Sequence, residues 1–121
     1  MTRFIVMLSL LLTSVCMAAT PAETRKIEHL IAAIESLPNA QFVRNGTAYD
    51  AKSAADHLRL KWKNAGDKVA TAEDFIRLCG SASSMSGKPY QIRFADGRTI
   101  TSAAFLHEQL AKFDATARAS Q

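Results

Sequence analysis

The chain has 121 residues and a formal net charge of +4, and a chain of this length predicts a single domain. Nucleic-acid-binding domains typically have a strongly basic surface, and this excess of cations is small. No nucleic acid is therefore expected as a partner.

The first residues are typical of a secretory signal peptide. Arg3 precedes an apolar run from Phe4 to Val15, and Ala18 and Ala19 follow it. About 12 apolar residues are too few for a bilayer, which needs roughly 20, so no transmembrane segment is expected. We expect cleavage after Ala18, with Ala19 as the alternative. Cys16 could mark a lipoprotein, but the three residues before it do not form the usual lipobox.

Removal of this segment defines both the domain and its cysteine content. Residues 1–18 form the predicted signal peptide and residues 19–121 a single domain, whose core spans about 23–113. Cys79 is then the only cysteine, which excludes an intramolecular disulfide. Because Cys79 falls on the apolar side of a predicted helix, we expect a buried thiol.

Helical periodicity and capping residues predict four helices. The stretch from His57 to Lys63 also alternates as a strand would, but its alanine-rich lead-in and Gly66 just beyond its end favour a helix. The polar tail after Asp114 is expected to fray. The first predicted helix runs from Glu23 to Leu37, and the second from Ala51 to Asn64 with Asp50 as its cap. The third begins after its cap Thr71. The fourth begins after Thr101 or Ser102 and runs to about Phe113.

Two turn signals predict two short hairpins. Asn45 and Gly46 lie between β-forming residues, and both tolerate the positive φ of a type I′ turn. Asp96 and Gly97 mark the second turn, after a strand with Tyr90, Ile92 and Phe94 on one face. The predicted fold class is therefore α+β, with about four helices packed around two short β-hairpins in a single compact domain.

Most motifs of catalysis and cofactor binding are missing. The stretch SSMSGKP resembles a phosphate loop, but Ala82 and Pro89 occupy positions that need glycine and a hydroxyl. No serine has the lysine or glycine partners of a known nucleophile motif. His29, His57 and His107 have no metal-ligand residue three or four positions away. We therefore assign no catalytic residue, no metal and no cofactor.

One flank of the second helix gathers polar side chains. Asp50, His57 and Lys61 are separated by seven and four residues, so they share one side of the helix. The preceding hairpin brings Arg44 and Tyr49 nearby. Arginine can grip an anion at two points, and a histidine can be oriented by a neighbouring group. This pattern predicts either a small anion-binding or acid–base cleft, or polar contacts that only tie the hairpin to the helix.

Five stretches, FVRNG, HLRLK, TAEDFI, SGKPY and FLHEQL, resemble the YfeK-like family of small exported bacterial proteins, a domain of unknown function. The resemblance spans about Glu23 to Phe113. It implies a periplasmic single domain from a Gram-negative organism, and it carries no assigned activity or site residues.

These observations lead to two hypotheses. The first is a non-enzymatic binding module for an anionic small molecule, a peptidoglycan fragment or an envelope protein. The second is a small envelope hydrolase that uses His57 as general base. The candidate ligand-binding residues are Arg44, His57, Lys61, Lys88 and Tyr90. The residues expected to serve backbone geometry are Asn45, Gly46, Gly87 and Pro89.

Overall fold

The computed structural model describes residues 18–120, so the predicted signal peptide lies outside the described residues except for Ala18. A 3₁₀ turn at Gly66–Lys68 follows the helix that ends at Ala65, and a π-helical turn at Ile76–Gly80 extends the helix that ends at Phe75. Within this range, no helix has the length and apolar character needed to cross a membrane. The elements are α1 (Pro21–Glu35), β1 (Gln41–Arg44), β2 (Thr47–Tyr49), α2 (Ala51–Ala65), α3 (Ala72–Phe75), β3 (Gln91–Arg93), β4 (Thr99–Thr101) and α4 (Ser102–Ala119).

Three of the helices begin at the capping residues that the sequence indicates. The Asp50 carboxylate accepts a hydrogen bond from the Ser53 backbone N–H at 2.8 Å. Thr71 forms a reciprocal capping box with Asp74 at the start of α3, and Thr101 caps α4. Each cap satisfies an N–H group that the helix itself leaves without a partner.

The outer limits of the helical region differ from the prediction. Helix α1 begins at Pro21, two residues before the predicted Glu23, because Thr20 supplies a cap and proline suits the first helical position. Helix α4 continues past Asp114 to Ala119. The tail that we expected to fray is therefore helical.

The four strands form one antiparallel sheet in the order β2-β1-β3-β4. The two predicted hairpins are joined because β1 pairs with β3, with Phe42 opposite Ile92. Phe42 also lies opposite Tyr49, and Ile92 opposite Ile100. These four residues make one row across the sheet, called here the apolar row. The predicted α+β fold is confirmed, and its hairpins share a single sheet.

The helices cover one face of this sheet. Phe42 and Ile92 on that face are 8% and 0% exposed, whereas Gln41, Gln91 and Arg93 on the opposite face are exposed. The helices contribute the rest of the core, including Ile27, Leu30, Ile34, Ala55, Leu58, Phe75, Ile76, Cys79 and Leu106. Burial raises the pKa of the Cys79 thiol, as expected for a thiol that acts as a small apolar side chain.

The turn of the first hairpin is tied to the serine loop, defined here as residues 81–90. Asn45 and Gly46 have φ angles of 51° and 79°, the positive values of a type I′ turn. The Asn45 amide N–H donates to the Ser83 hydroxyl at 3.1 Å, and its carbonyl accepts from the Ser86 hydroxyl. One turn side chain therefore holds a loop that is distant in sequence.

Gly87 and Pro89 shape the same loop. Gly87 has a φ of 71°, and its N–H donates to the Ser83 carbonyl at 2.9 Å. Pro89 lies opposite Ala82 in an isolated antiparallel bridge. Together these contacts bring the chain to Tyr90, immediately before β3.

We expect Asn45→Ala to lower the free energy of unfolding more than Asn45→Gly. Both changes remove side-chain hydrogen bonds to the serine loop, worth about 0.5–1.5 kcal/mol each. Alanine additionally lowers the free energy of unfolding by about 1–2 kcal/mol, because its Cβ disfavours the left-handed backbone conformation. Urea unfolding of both variants measures the difference. The control is Ser84→Ala, an exposed change in the same loop that should stay within about 0.5 kcal/mol of the parent. Equal losses for alanine and glycine would contradict the backbone argument.

Candidate functional site

A cleft lies between the first hairpin and helix α2. Its volume is about 290 Å³, at the lower end of the roughly 300–1,000 Å³ usual for small-molecule sites. The cleft is lined by Ile34, Phe42, Val43, Arg44, Tyr49, Ser53, Ala54, His57, Leu58, Tyr90, Gln91 and Ser102. This lining combines core side chains with a few polar groups, which is the composition expected of a ligand site.

The sheet contributes a polar row to this cleft. The register that pairs Val43 with Gln91 puts Arg44 opposite Tyr90. The Ser102 backbone N–H donates to the Tyr90 carbonyl at 2.9 Å, so the ladder continues to Ser102. Residues directly opposite each other have Cβ atoms about 4.5–5.5 Å apart. Arg44, Tyr90 and Ser102, called here the polar row, are thus neighbours on the helix-covered face.

The polar row lies two residues along the strands from the apolar row, on the same face of the sheet. At about 3.3 Å per residue, the two rows are about 6.5 Å apart. Phe42 and Tyr49 of the apolar row line the cleft together with Leu58 and Ile34. The cleft therefore has one polar end and one apolar end.

Ser102 brings a buried hydroxyl-bearing residue to this space. It is only 4% exposed, is the first residue of α4 and lines the cleft. The positive end of the α4 dipole lies beside the same point.

Lys61 holds Tyr90 in position from helix α2. Its ammonium group donates to the Tyr90 hydroxyl at 3.0 Å and to the Ala82 carbonyl at 3.1 Å. The Tyr90 hydroxyl accepts from Lys61, so it retains its own proton for donation. His57 Nε2 lies 3.5 Å from that hydroxyl, at the long limit for a hydrogen bond. Tyr90 therefore remains able to donate to a ligand.

His57 faces the cleft as a neutral imidazole at pH 7. Burial lowers its pKa from the ordinary 6.5, and the positive charges of Arg44 and Lys61 lower the pKa further. A neutral imidazole offers one donor and one acceptor nitrogen. In the part of the chain that the structure describes, no carboxylate hydrogen-bonds to His57, so the ring is not arranged as in a catalytic dyad.

Arg44 carries a charge that the described residues leave uncompensated. The ion pairs between residues 18 and 120 engage other cations, and none includes the Arg44 guanidinium. The cleft lining contains no aspartate or glutamate. A partly buried guanidinium without a carboxylate partner favours a bound anion, since its planar fork matches two oxygens at once.

The structure brings together most of the five predicted binding residues. Arg44, His57 and Tyr90 line the cleft, and Lys61 lies behind Tyr90. Lys88 is exposed on the serine loop and lines no part of the cleft. Asp50, which we expected beside His57 and Lys61, instead caps α2 through the Ser53 N–H. This is the capping role that its position before the helix also predicts.

The sequence did not indicate Ser102 as a site residue, and it did not indicate the apolar end of the cleft. Ser102 was considered only as a possible helix cap, and no site role was predicted for Leu58 or Ile34. These roles depend on the pairing of β1 with β3, which carries no local sequence signal. For metal binding, no cluster of three histidine, cysteine, aspartate or glutamate side chains lies in the described range.

Comparison with known proteins gives a family without an assigned function. The model of a family of unknown function, DUF5329, matches residues 21–114. The chain belongs to this family. The uncharacterized protein YfeK of Salmonella typhimurium strain LT2 is 41% identical over 68 residues, which cover 56% of this chain and 57% of the relative. The chain thus spans little more than half of that relative. No solved structure matches. The predicted YfeK-like resemblance is confirmed.

We expect nuclear magnetic resonance titration to give His57 a pKa below 6.5. Arg44→Gln should raise that pKa, because it removes a nearby positive charge. Lys52→Gln removes the same charge from an exposed position on α2, where it pairs with Asp56, and should change the His57 pKa less. An unchanged His57 pKa in Arg44→Gln would contradict this arrangement.

The same lowered pKa predicts a pH-dependent stability. Below about pH 6.5 the unfolded state binds the His57 proton more readily than the folded state, so the free energy of unfolding should fall as pH decreases. Denaturant unfolding between pH 8 and pH 5 measures the slope. His57→Gln should flatten this slope, and an identical slope in the variant would rule out His57 as its source.

Proposed function

We propose that the protein is an exported, non-catalytic binding module whose cleft takes an anionic ligand. The observation that supports the proposal is the Arg44 guanidinium, which lines the cleft without an ion-pair partner between residues 18 and 120. Tyr90 and His57, whose side chains lie 3.5 Å apart, add hydrogen-bonding groups to the same cleft.

Export is part of this proposal and rests on the first residues. Arg3, the apolar run to Val15 and the small residues at Ala18 and Ala19 are typical of a signal peptide. We propose that a Gram-negative cell delivers the chain to its periplasm and cleaves it after Ala18. The envelope offers anionic small molecules, peptidoglycan fragments and envelope proteins as partners.

Expression of the full chain with a carboxy-terminal tag tests the export. We expect the tagged protein in the periplasmic fraction and an amino terminus at Ala19 by mass spectrometry. A matched variant with Leu10 and Leu11 replaced by aspartate interrupts the apolar run and should keep the uncleaved protein in the cell interior. Cytoplasmic accumulation of the uncleaved parent chain would contradict export.

A thermal-shift screen of residues 19–121 tests binding. The panel contains small organic anions, nucleotides and peptidoglycan fragments. A ligand that binds only the folded state stabilises it by about 2.7 kcal/mol at a hundred times its dissociation constant, which raises the melting temperature by several degrees. Arg44→Gln should abolish the shift, and Lys88→Gln should preserve it, because Lys88 lies outside the cleft. A shift that survives in Arg44→Gln would move the site elsewhere.

The second candidate is a small envelope hydrolase with His57 as general base. Its support is that His57 is neutral near pH 7 and lines a cleft large enough for a small substrate. We expect no turnover of ester or amide substrates, because no carboxylate among the described residues hydrogen-bonds to His57 and orients it as a base. Turnover that His57→Gln abolishes and Lys52→Gln retains would overturn the binding proposal in favour of the enzyme.

A further inference from the structure

The cleft separates its polar and apolar groups by position, which restricts the ligand that fits it. The polar row of Arg44, Tyr90 and Ser102 lies at one end, opposite His57 on α2. The apolar end is formed by Phe42 and Leu58 with neighbouring side chains. A ligand that fills both ends needs a charged head and an apolar body, centred about 6.5 Å apart by the spacing of the two rows.

The polar end is arranged to bind two oxygens of one group. Arg44 supplies a two-point donor, and Tyr90 and Ser102 carry hydroxyls. Lys61 uses its ammonium group on the Tyr90 hydroxyl and the Ala82 carbonyl, so its charge acts on this end from behind Tyr90. A carboxylate has two oxygens, which the Arg44 fork matches. A phosphate monoester has a third oxygen, and the cleft lining holds no second arginine or lysine for it.

The start of α2 offers nothing further to a phosphate. Anion sites at helix termini rely on free backbone N–H groups. At α2 the Asp50 carboxylate already accepts from the Ser53 N–H at 2.8 Å and adds a negative charge of its own. Ser53 lines the cleft, so a highly charged ligand there would meet an acidic neighbour.

The volume limits the apolar body. An apolar cavity of about 150 Å³ holds a benzene molecule, and this cleft measures about 290 Å³. One ring or a short branched chain therefore fits together with a carboxylate arm, roughly ten non-hydrogen atoms in all. Phe42 and Tyr49 present aromatic surface to such a body, which suits a ring in an edge or offset contact.

We infer that the cleft binds a small free carboxylic acid with a single aromatic or branched aliphatic body, its carboxylate held by Arg44, Tyr90 and Ser102. This inference rests on the proposed binding function and specifies its ligand. Affinity comes from the apolar end, where most of the contact area lies, and selection comes from the polar end. A neutral analogue leaves the Arg44 fork without its two oxygens, which costs more than the lost contact alone.

The test is a titration of ¹⁵N-labelled residues 19–121 with matched probes, in which amide chemical shifts report binding. The probes are 3-phenylpropanoate, its neutral amide, propanoate and 2-phenylethyl phosphate. We expect saturable shifts at Arg44, His57, Tyr90 and Ser102 with 3-phenylpropanoate, at least tenfold weaker binding of the amide, and no saturation with propanoate. The phosphate should bind no better than the carboxylate.

Two variants locate the head group. Arg44→Gln should weaken the binding of 3-phenylpropanoate at least tenfold and leave the affinity for the amide unchanged. Arg93→Gln is the matched control, because Arg93 is exposed on the opposite face of β3, beside Gln41, and its loss should leave both affinities unchanged. Equal affinity for acid and amide, or an unaffected Arg44→Gln variant, would overturn the inference.

Other outcomes separate this inference from the proposed function. If the phosphate, a peptidoglycan fragment or a peptide ending in phenylalanine binds in the cleft at least tenfold more tightly than 3-phenylpropanoate, anion binding stands and the small-acid inference fails. If no probe and no member of the anion panel shifts any cleft resonance, the proposed function fails with it.

Discussion

The pairing of β1 with β3 is the constraint on which the rest of the structure depends. Each hairpin alone has two strands of three or four residues, and an isolated pair of this size is marginal in water. Pairing Phe42 with Ile92 merges them into a sheet with one continuous apolar face that the helices cover. The same register puts Arg44 opposite Tyr90, so one set of backbone hydrogen bonds provides both stability and the polar row.

The positive groups around the cleft are kept in different states by their surroundings. Lys61 satisfies its donors with uncharged oxygens, and His57 loses its charge because burial and two nearby cations oppose protonation. Arg44 lines the cleft itself, and the lining holds no carboxylate to pair with its guanidinium. Because a planar guanidinium binds two oxygens at once, the cleft distinguishes anions by shape as well as by charge.

Much of the local structure could be predicted because short-range chemistry controls it. Asp50, Thr71 and Thr101 cap helices through contacts three residues away, and Asn45 with Gly46 adopts the turn that only such residues tolerate. The stretch from His57 to Lys63 satisfies both helical and strand periodicity. It is helical in the structure, and its burial follows the helical period: Leu58 is buried while Leu60, two positions on, is 54% exposed.

The α+β class, the capped helices and the two turns could be predicted from the sequence, because each depends on residues a few positions apart. The candidate residues Arg44, His57 and Tyr90 could be named in the same way. Which of these candidates meet depends on contacts between distant parts of the chain. The serine loop docks on Asn45 from 38 residues away, Lys61 reaches Tyr90 across 29, and Ser102 joins the cleft through the β3–β4 ladder. Lys88, in the same loop as Tyr90, is exposed and does not line the cleft. Such long-range contacts depend on the register of paired strands and on the burial of a shared face, which no short stretch of sequence specifies.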